Sequence, residues 1–139
     1  MLDYISYSFN GIDYSEPVFY SLLIDGLIKN AYRGNLYVRY YFDLGFTTNL
    51  TLVTGNTRVK KVMLDGADIK LINSDYDICY KEATLRSVGK GTHYIEFLVD
   101  YYESSYVRHV IFDEGVTESL KNCIVYDTTI EPIYLKGDF

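Results

Sequence analysis

Hydrophobic and polar side chains alternate along much of this chain, and short dipeptides of turn-forming residues interrupt the alternation. The clearest run is residues 36–44. There Leu36, Val38, Tyr40, Phe42 and Leu44 face one way, and Tyr37, Arg39, Tyr41 and Asp43 face the other. Successive side chains of a strand point to opposite sides, so this run reads as a strand with one buried face. Residues 48–54 repeat the pattern, with Leu50 and Leu52 inward, and residues 94–102 do so with Ile95, Phe97, Val99 and Tyr101. Residues 2–9 place Ile5, Tyr7 and Phe9 on one face, and Asn10-Gly11 then reads as a type I′ hairpin turn. Residues 59–64 and 67–72 flank Asp65-Gly66, a second such turn, and residues 77–80 and 83–88 read as further short strands.

Three segments are less regular. Residues 18–24 favour a strand closed by Asp25-Gly26, against a helix begun at Ser15-Glu16-Pro17 and stopped by Gly26. Residues 105–113 read as a strand that echoes residues 37–43, since both stretches contain Tyr-Val-Arg and then Phe-Asp. The second carries one extra residue, so a common face requires a β-bulge near His109-Val110. Residues 117–122 suggest one helical turn capped by Thr117. The tail after residue 123 reads as extended, with Ile130, Ile133 and Leu135 available for burial and Pro132 placing it at a sheet edge.

These elements predict an all-β fold: a single antiparallel β-sandwich of jelly-roll type with at most one or two short helical turns. Residues 1–127 form the sandwich, and residues 128–139 an extended tail that packs on the domain or on a partner. Composition points the same way. Sixteen tyrosines and seven phenylalanines, with no tryptophan and two prolines, suit pleated, half-buried surfaces. The segment VKKVMLDGADIKL at 59–71, followed by VGKGTHYIEFLVDYY at 88–102, resembles carbohydrate-binding β-sandwich modules. The resemblance is one of fold pattern and implies no particular binding residue.

Charge narrows the partners. Thirteen basic and nineteen acidic residues give a net charge of −6, which argues against nucleic acid and anionic membranes, whose affinity comes from clustered cations. The adjacent pair Lys60-Lys61 would point to opposite faces of a strand. No run approaches the roughly 18 apolar residues of a membrane span. The first residues, MLDYISYSFNG, read as no signal peptide, so cytoplasmic synthesis is expected, with incorporation into a virion as one destination. Cys79 and Cys123 show no metal spacing and read as buried, reduced thiols, with a disulfide as the alternative.

No catalytic motif occurs. The two histidines, His93 and His109, sit outside any recognised signature, and no enzyme and no cofactor is expected. Asn73, Asp75 and Asp77 alternate oxygen ligands in one loop and form a weak calcium candidate without the spacing of a helix–loop–helix site. The strongest chemical feature is aromatic. Tyr37, Arg39 and Tyr41 on one strand, and Tyr102 and Tyr106 near the end of another, are candidates to bind a partner protein or a glycan. The leading expectation is a non-catalytic structural or interaction module of a larger assembly, such as a virion capsid-decoration, fibre or tail part. It would act as a homo-oligomer or hetero-assembly, and a carbohydrate-binding or adhesion domain is the alternative.

Overall fold

In the computed structural model, strands form where the alternation is strongest, and they assemble into two antiparallel sheets. The structure describes residues 1–74, 79–112, 115, 117 and 126–137. The strands of the first sheet are β1 (Tyr4–Ser8), β2 (Val18–Phe19), β3 (Gly34–Leu44), β5 (Val59–Leu64), β6 (Ala67–Ile69) and β9 (Gly91–Tyr101). Those of the second are β4 (Thr48–Thr54), β7 (Ile72–Asn73), β8 (Lys81–Val88) and β10 (Tyr134–Gly137). The orders are β2-β1-β3-β9-β5-β6 and β10-β4-β8-β7. Two sheets face to face make the expected sandwich, without demonstrating jelly-roll connectivity.

The backbone of the fold is the β3–β9 pair, which holds register from Gly34 opposite Tyr101 to Leu44 opposite Gly91. Its inward residues Leu36, Val38, Tyr40, Ile95, Phe97, Val99 and Tyr101 are all fully buried. They pack with Leu50, Leu52, Ala83, Leu85 and Val88 of the second sheet in one cluster. Each such side chain contributes roughly 1.5–3 kcal/mol of hydrophobic stabilisation. The Asp65-Gly66 turn forms as expected: both residues have positive φ, 49° and 87°, as a type I′ turn requires.

Two helices replace expected strands. The first, α1 (Tyr20–Lys29), follows directly on β2 and runs through Gly26 instead of turning there. Leu23, Leu27 and Ile28 are buried at i, i+4 and i+5, a helical spacing that outweighs the roughly 1 kcal/mol cost of an internal glycine. Asn10-Gly11 also departs from expectation, since Asn10 keeps a negative φ and no two-residue hairpin forms. Its side-chain oxygen instead accepts the Ile12 and Asp13 amides, both at 2.9 Å, and shapes a longer loop that leads back to β2.

The second helix, α2 (Ser105–Phe112), takes the place of the strand expected at 105–113, and with it the bulge at His109-Val110 disappears. Val107 and Val110 are buried at a spacing of three, and the Ser104 hydroxyl accepts the Val107 amide at 3.3 Å as an N-cap. The helical turn expected at 117–122 lies outside the described residues, apart from Thr117 itself. The tail is committed to its own domain. Ile130 and Ile133 are buried, and β10 pairs with β4 as an edge strand, where Pro132 can be tolerated just before it.

Candidate functional site

Outer faces of β3 and β9 bring several aromatic and charged groups together. Ser6 of β1 lies opposite Arg39, and Arg39 lies opposite Glu96, so the three share the outward side of the first sheet. The Arg39 guanidinium donates to Glu96 Oε2 at 2.5 Å and lies between two rings, 3.8 Å from the centroid of Tyr14 and 4.2 Å from that of Tyr94. The Tyr14 hydroxyl donates to the same Glu96 oxygen. Burial and this contact to a carboxylate push the Tyr14 hydroxyl pKa well above its ordinary value. Burial alone would lower the Arg39 pKa, but hydrogen bonds to Tyr41 and Glu96 outweigh it and hold the group charged.

The candidate row Tyr37, Arg39, Tyr41 is therefore used mostly inside the molecule. The loop between β1 and β2 crosses over it and supplies Tyr14 to Arg39. Gly11, at φ 76°, rests on the Tyr37 ring so closely that a Cβ there would lie 3.0 Å from Cζ. Only Tyr41 remains open, 42% exposed, with its ring 5.8 Å from Tyr94 and tilted by 55°.

Tyr102 and Tyr106 sit elsewhere. Tyr102 lies beyond the far end of β9, about 26 Å from Tyr94 at the rise of a strand. Its ring is covered by Arg33 at 4.3 Å, and its backbone N–H and C=O both bond to the Thr128 hydroxyl. Tyr106 is on α2 and 59% exposed. The five candidates thus fall into two groups and do not line one site. Of the calcium candidates, Asn73 belongs to β7, while Asp75 and Asp77 lie outside the described residues, as does Cys123.

Two surfaces not foreseen from the sequence carry more unsatisfied character. The first surrounds the β2–β1 edge and α1. Among the described residues thirteen large hydrophobic side chains are exposed, and six of them are Met1, Tyr4, Phe9, Ile12, Phe19 and Leu22. Ile12 is 80% exposed and Leu22 65%. Phe9 and Leu22 rim a small apolar groove of about 250 Å³ floored by Leu23 and Leu27. Tyr4 and Phe19 pack edge to face at 5.7 Å on adjacent strands.

The second surface is a cleft of about 900 Å³ at the opposite side of the sandwich, where β5 and β6 part from β7 and β8. Val62, Ile69 and Leu71 give it apolar walls, and Arg58, Lys60, Lys61, Lys70 and Lys81 also line it, the first three sending their charged ends to Asp100, Asn35 and Asp68. Lys60 is the extra residue of a bulge between Val59 and Lys61, so the lysine pair departs from the strict alternation expected of it. Lys81 lies opposite Thr54 on the same inward face as Ala83. Arg58 pairs with Asp100 at 2.9 Å and Lys61 with Asp68 at 3.3 Å. Lys60, Lys70 and Lys81 have no carboxylate partner among the described residues.

Among the described residues that line the cleft, Glu131 is the one acid, and burial pushes its carboxyl above the usual range. It fits because residue 55 is glycine: any Cβ there would overlap its carboxylate. Scans against protein-family models, curated proteins and solved structures each found no match for this chain.

Proposed function

We propose that the protein is a non-catalytic assembly subunit that docks through the apolar face around β1, β2 and α1 onto a further copy of itself. What supports this is the concentration of exposed apolar side chains there: six of the thirteen fall within the first 22 residues. Large apolar side chains scattered singly need no explanation, but here Tyr4 packs on Phe19 and Phe9 and Leu22 rim one groove, and neighbouring groups of this kind mark an interaction surface. Ile12, Leu22 and Phe9 protrude from a loop and a helix that their own chain holds firmly, so docking requires little ordering.

Strand addition is a weaker mode of assembly for this molecule. The outermost strands of the first sheet, β2 and β6, have two and three residues, too few for a stable added ladder. Glycan binding through the outer tyrosines also lacks support. Its best-exposed pair, Tyr41 and Tyr94, presents planes 55° apart, where a sugar ring would stack on a flat platform.

Sedimentation velocity tests the proposal. The wild-type chain is expected to form species heavier than its 16.1 kDa, in proportions that grow with concentration. The double variant Ile12→Glu/Leu22→Glu, which changes only exposed positions, is expected to sediment as a monomer with an unchanged melting temperature. A variant that associates as strongly as the wild type would remove the docking face from the account.

A further inference from the structure

The two unforeseen surfaces differ in character and lie on opposite edges of one sheet. In the order β2-β1-β3-β9-β5-β6, the apolar face borders the first two strands and the cleft borders the last two. Five strand intervals separate β2 from β6, about 24 Å at the usual spacing. A surface at each edge is the arrangement required for contacts that repeat from copy to copy.

Charge then decides between the two ways in which one chain can bind itself. Residues 1–30 carry four acids, Asp3, Asp13, Glu16 and Asp25, against one base, Lys29. A two-fold pairing of this face with itself would set acid against acid across the axis, which costs association energy. Among the described residues that line it, the cleft has the opposite balance: Arg58, Lys60 and Lys61 send their charged ends to Asp100, Asn35 and Asp68, and Lys70 and Lys81 remain against one acid. Burial disfavours ionisation of that acid, Glu131.

Shape agrees with charge. The cleft is open and has apolar walls, and its volume of about 900 Å³ exceeds what one or two side chains need. Ile12 and Leu22 are the most exposed aliphatic side chains among the described residues. Acids accompany both: Asp13 follows Ile12, and Asp25 lies three residues beyond Leu22 on the same helix. On the helix, Leu22 with Asp25 offers an apolar side chain beside a carboxylate to an apolar cleft bordered by Lys70 and Lys81.

We infer that the chain assembles head to tail, the apolar, acidic face around α1 of one copy docking into the lysine-lined cleft between the sheets of the next. This rests on the assembly reading above and adds the partner surface and the symmetry. A contact of this kind joins two different surfaces, so it extends into a ring or a filament instead of stopping at a dimer. Its electrostatic component weakens as salt rises, because the exposed charges are screened.

Two variants that each destroy one surface test this together. The face variant Ile12→Glu/Leu22→Glu keeps an intact cleft, and the cleft variant Lys70→Glu/Lys81→Glu keeps an intact face. All four positions are exposed, and the melting temperature of each variant verifies its fold. Each variant alone is expected to be monomeric by light scattering at concentrations where the wild type assembles. Their equimolar mixture is expected to give a species of two chains that grows no further, since the one competent face meets the one competent cleft.

If the mixture stays monomeric, or the cleft variant assembles like the wild type, the head-to-tail contact is wrong while self-assembly stands. A wild-type chain that never assembles would remove both. Should charge reversal unfold the cleft variant, Lys70→Gln/Lys81→Gln takes its place. It is expected to lower the mean assembled mass, and no change in that mass would equally overturn the contact.

Discussion

Tyr40 illustrates how a single inward position can hold two parts of the chain together. Its ring is fully buried and packs edge to face on Phe97 at 5.5 Å. Its hydroxyl donates to the Glu131 carbonyl at 2.8 Å and accepts from Asn56 Nδ2 at 3.0 Å. Asn56 in turn accepts the Glu131 amide, so the tail is tied to the sandwich through buried polar bonds. Tyr40→Phe keeps the packing but leaves a buried donor and acceptor unpaired, and it is expected to cost about 1–3 kcal/mol in a urea unfolding titration. The inward place of Tyr40 was legible from its alternation with Tyr41. Its partners were not, because Asn56 and Glu131 are 16 and 91 residues away in the chain.

His93 makes a residue-scale prediction about pH. Its Nδ1 lies 2.6 Å from Asp65 Oδ2 and its Nε2 lies 2.6 Å from the Gly89 carbonyl, so two acceptors call for a proton on each nitrogen. The bonds to Asp65 and to Gly89 raise its pKa above the ordinary value. Below about pH 6.5 the folded and unfolded chains both hold the proton, and the stabilisation is fully present. As pH rises, the unfolded chain releases it first, and the contribution is lost once the pH passes the raised folded value. Thermal melts are therefore expected to show a melting temperature that falls from about pH 6 to about pH 9. In His93→Gln that fall should be smaller, and an identical fall in both proteins would contradict the assignment.

At the scale of elements, the long period-two runs form the strands expected of them, and two helices stand where strands are expected. Strands β3, β4 and β9 bury one side and are visible in the sequence because alternation alone decides which side. In α1, the short run 18–24 was judged without its continuation to Leu27 and Ile28, which completes the helical stripe. In α2, the likeness of YVRHVIFD to YVRYYFD suggested a strand, yet the bulge that this required was already a sign of misfit. Val107 and Val110 sit at a spacing of three, which a helix accommodates with no irregularity. The aromatic row on β3 was legible as an outward row, but what covers it was not. That depends on a loop shaped locally by Asn10 and tied down by Tyr14, whose partner Glu96 is 82 residues away in the chain.

The end of α1 yields an element-scale prediction. Ala31 donates to the Ile28 carbonyl and Tyr32 to the Leu27 carbonyl, the two bonds of a Schellman cap. The residue in the left-handed position of that cap is usually glycine, and here it is Ala31, at φ 52°. An alanine there is strained by roughly 1–2 kcal/mol. Ala31→Gly is expected to stabilise the fold by about 1 kcal/mol, less the entropy that glycine adds to the unfolded chain, and chemical denaturation measures it. A loss of stability would mean that the cap carries no strain.

Over the whole molecule, the sandwich separates the α1 face from the cleft, and in the proposed assembly it would act as a spacer between them. The six-stranded sheet sets their separation, and the β10–β4 pairing with the Leu2–Ile133 bridge closes the tail and the first residues onto each other. With the tail held in this way, the proposed docking uses the α1 face and the cleft and requires no free arm. Light scattering of the wild-type chain across a range of concentrations, at low and at high salt, tests this most directly. The account predicts a mean mass that climbs above 16.1 kDa with concentration and falls back as salt is added. A mass of one chain at every concentration and every salt would contradict it.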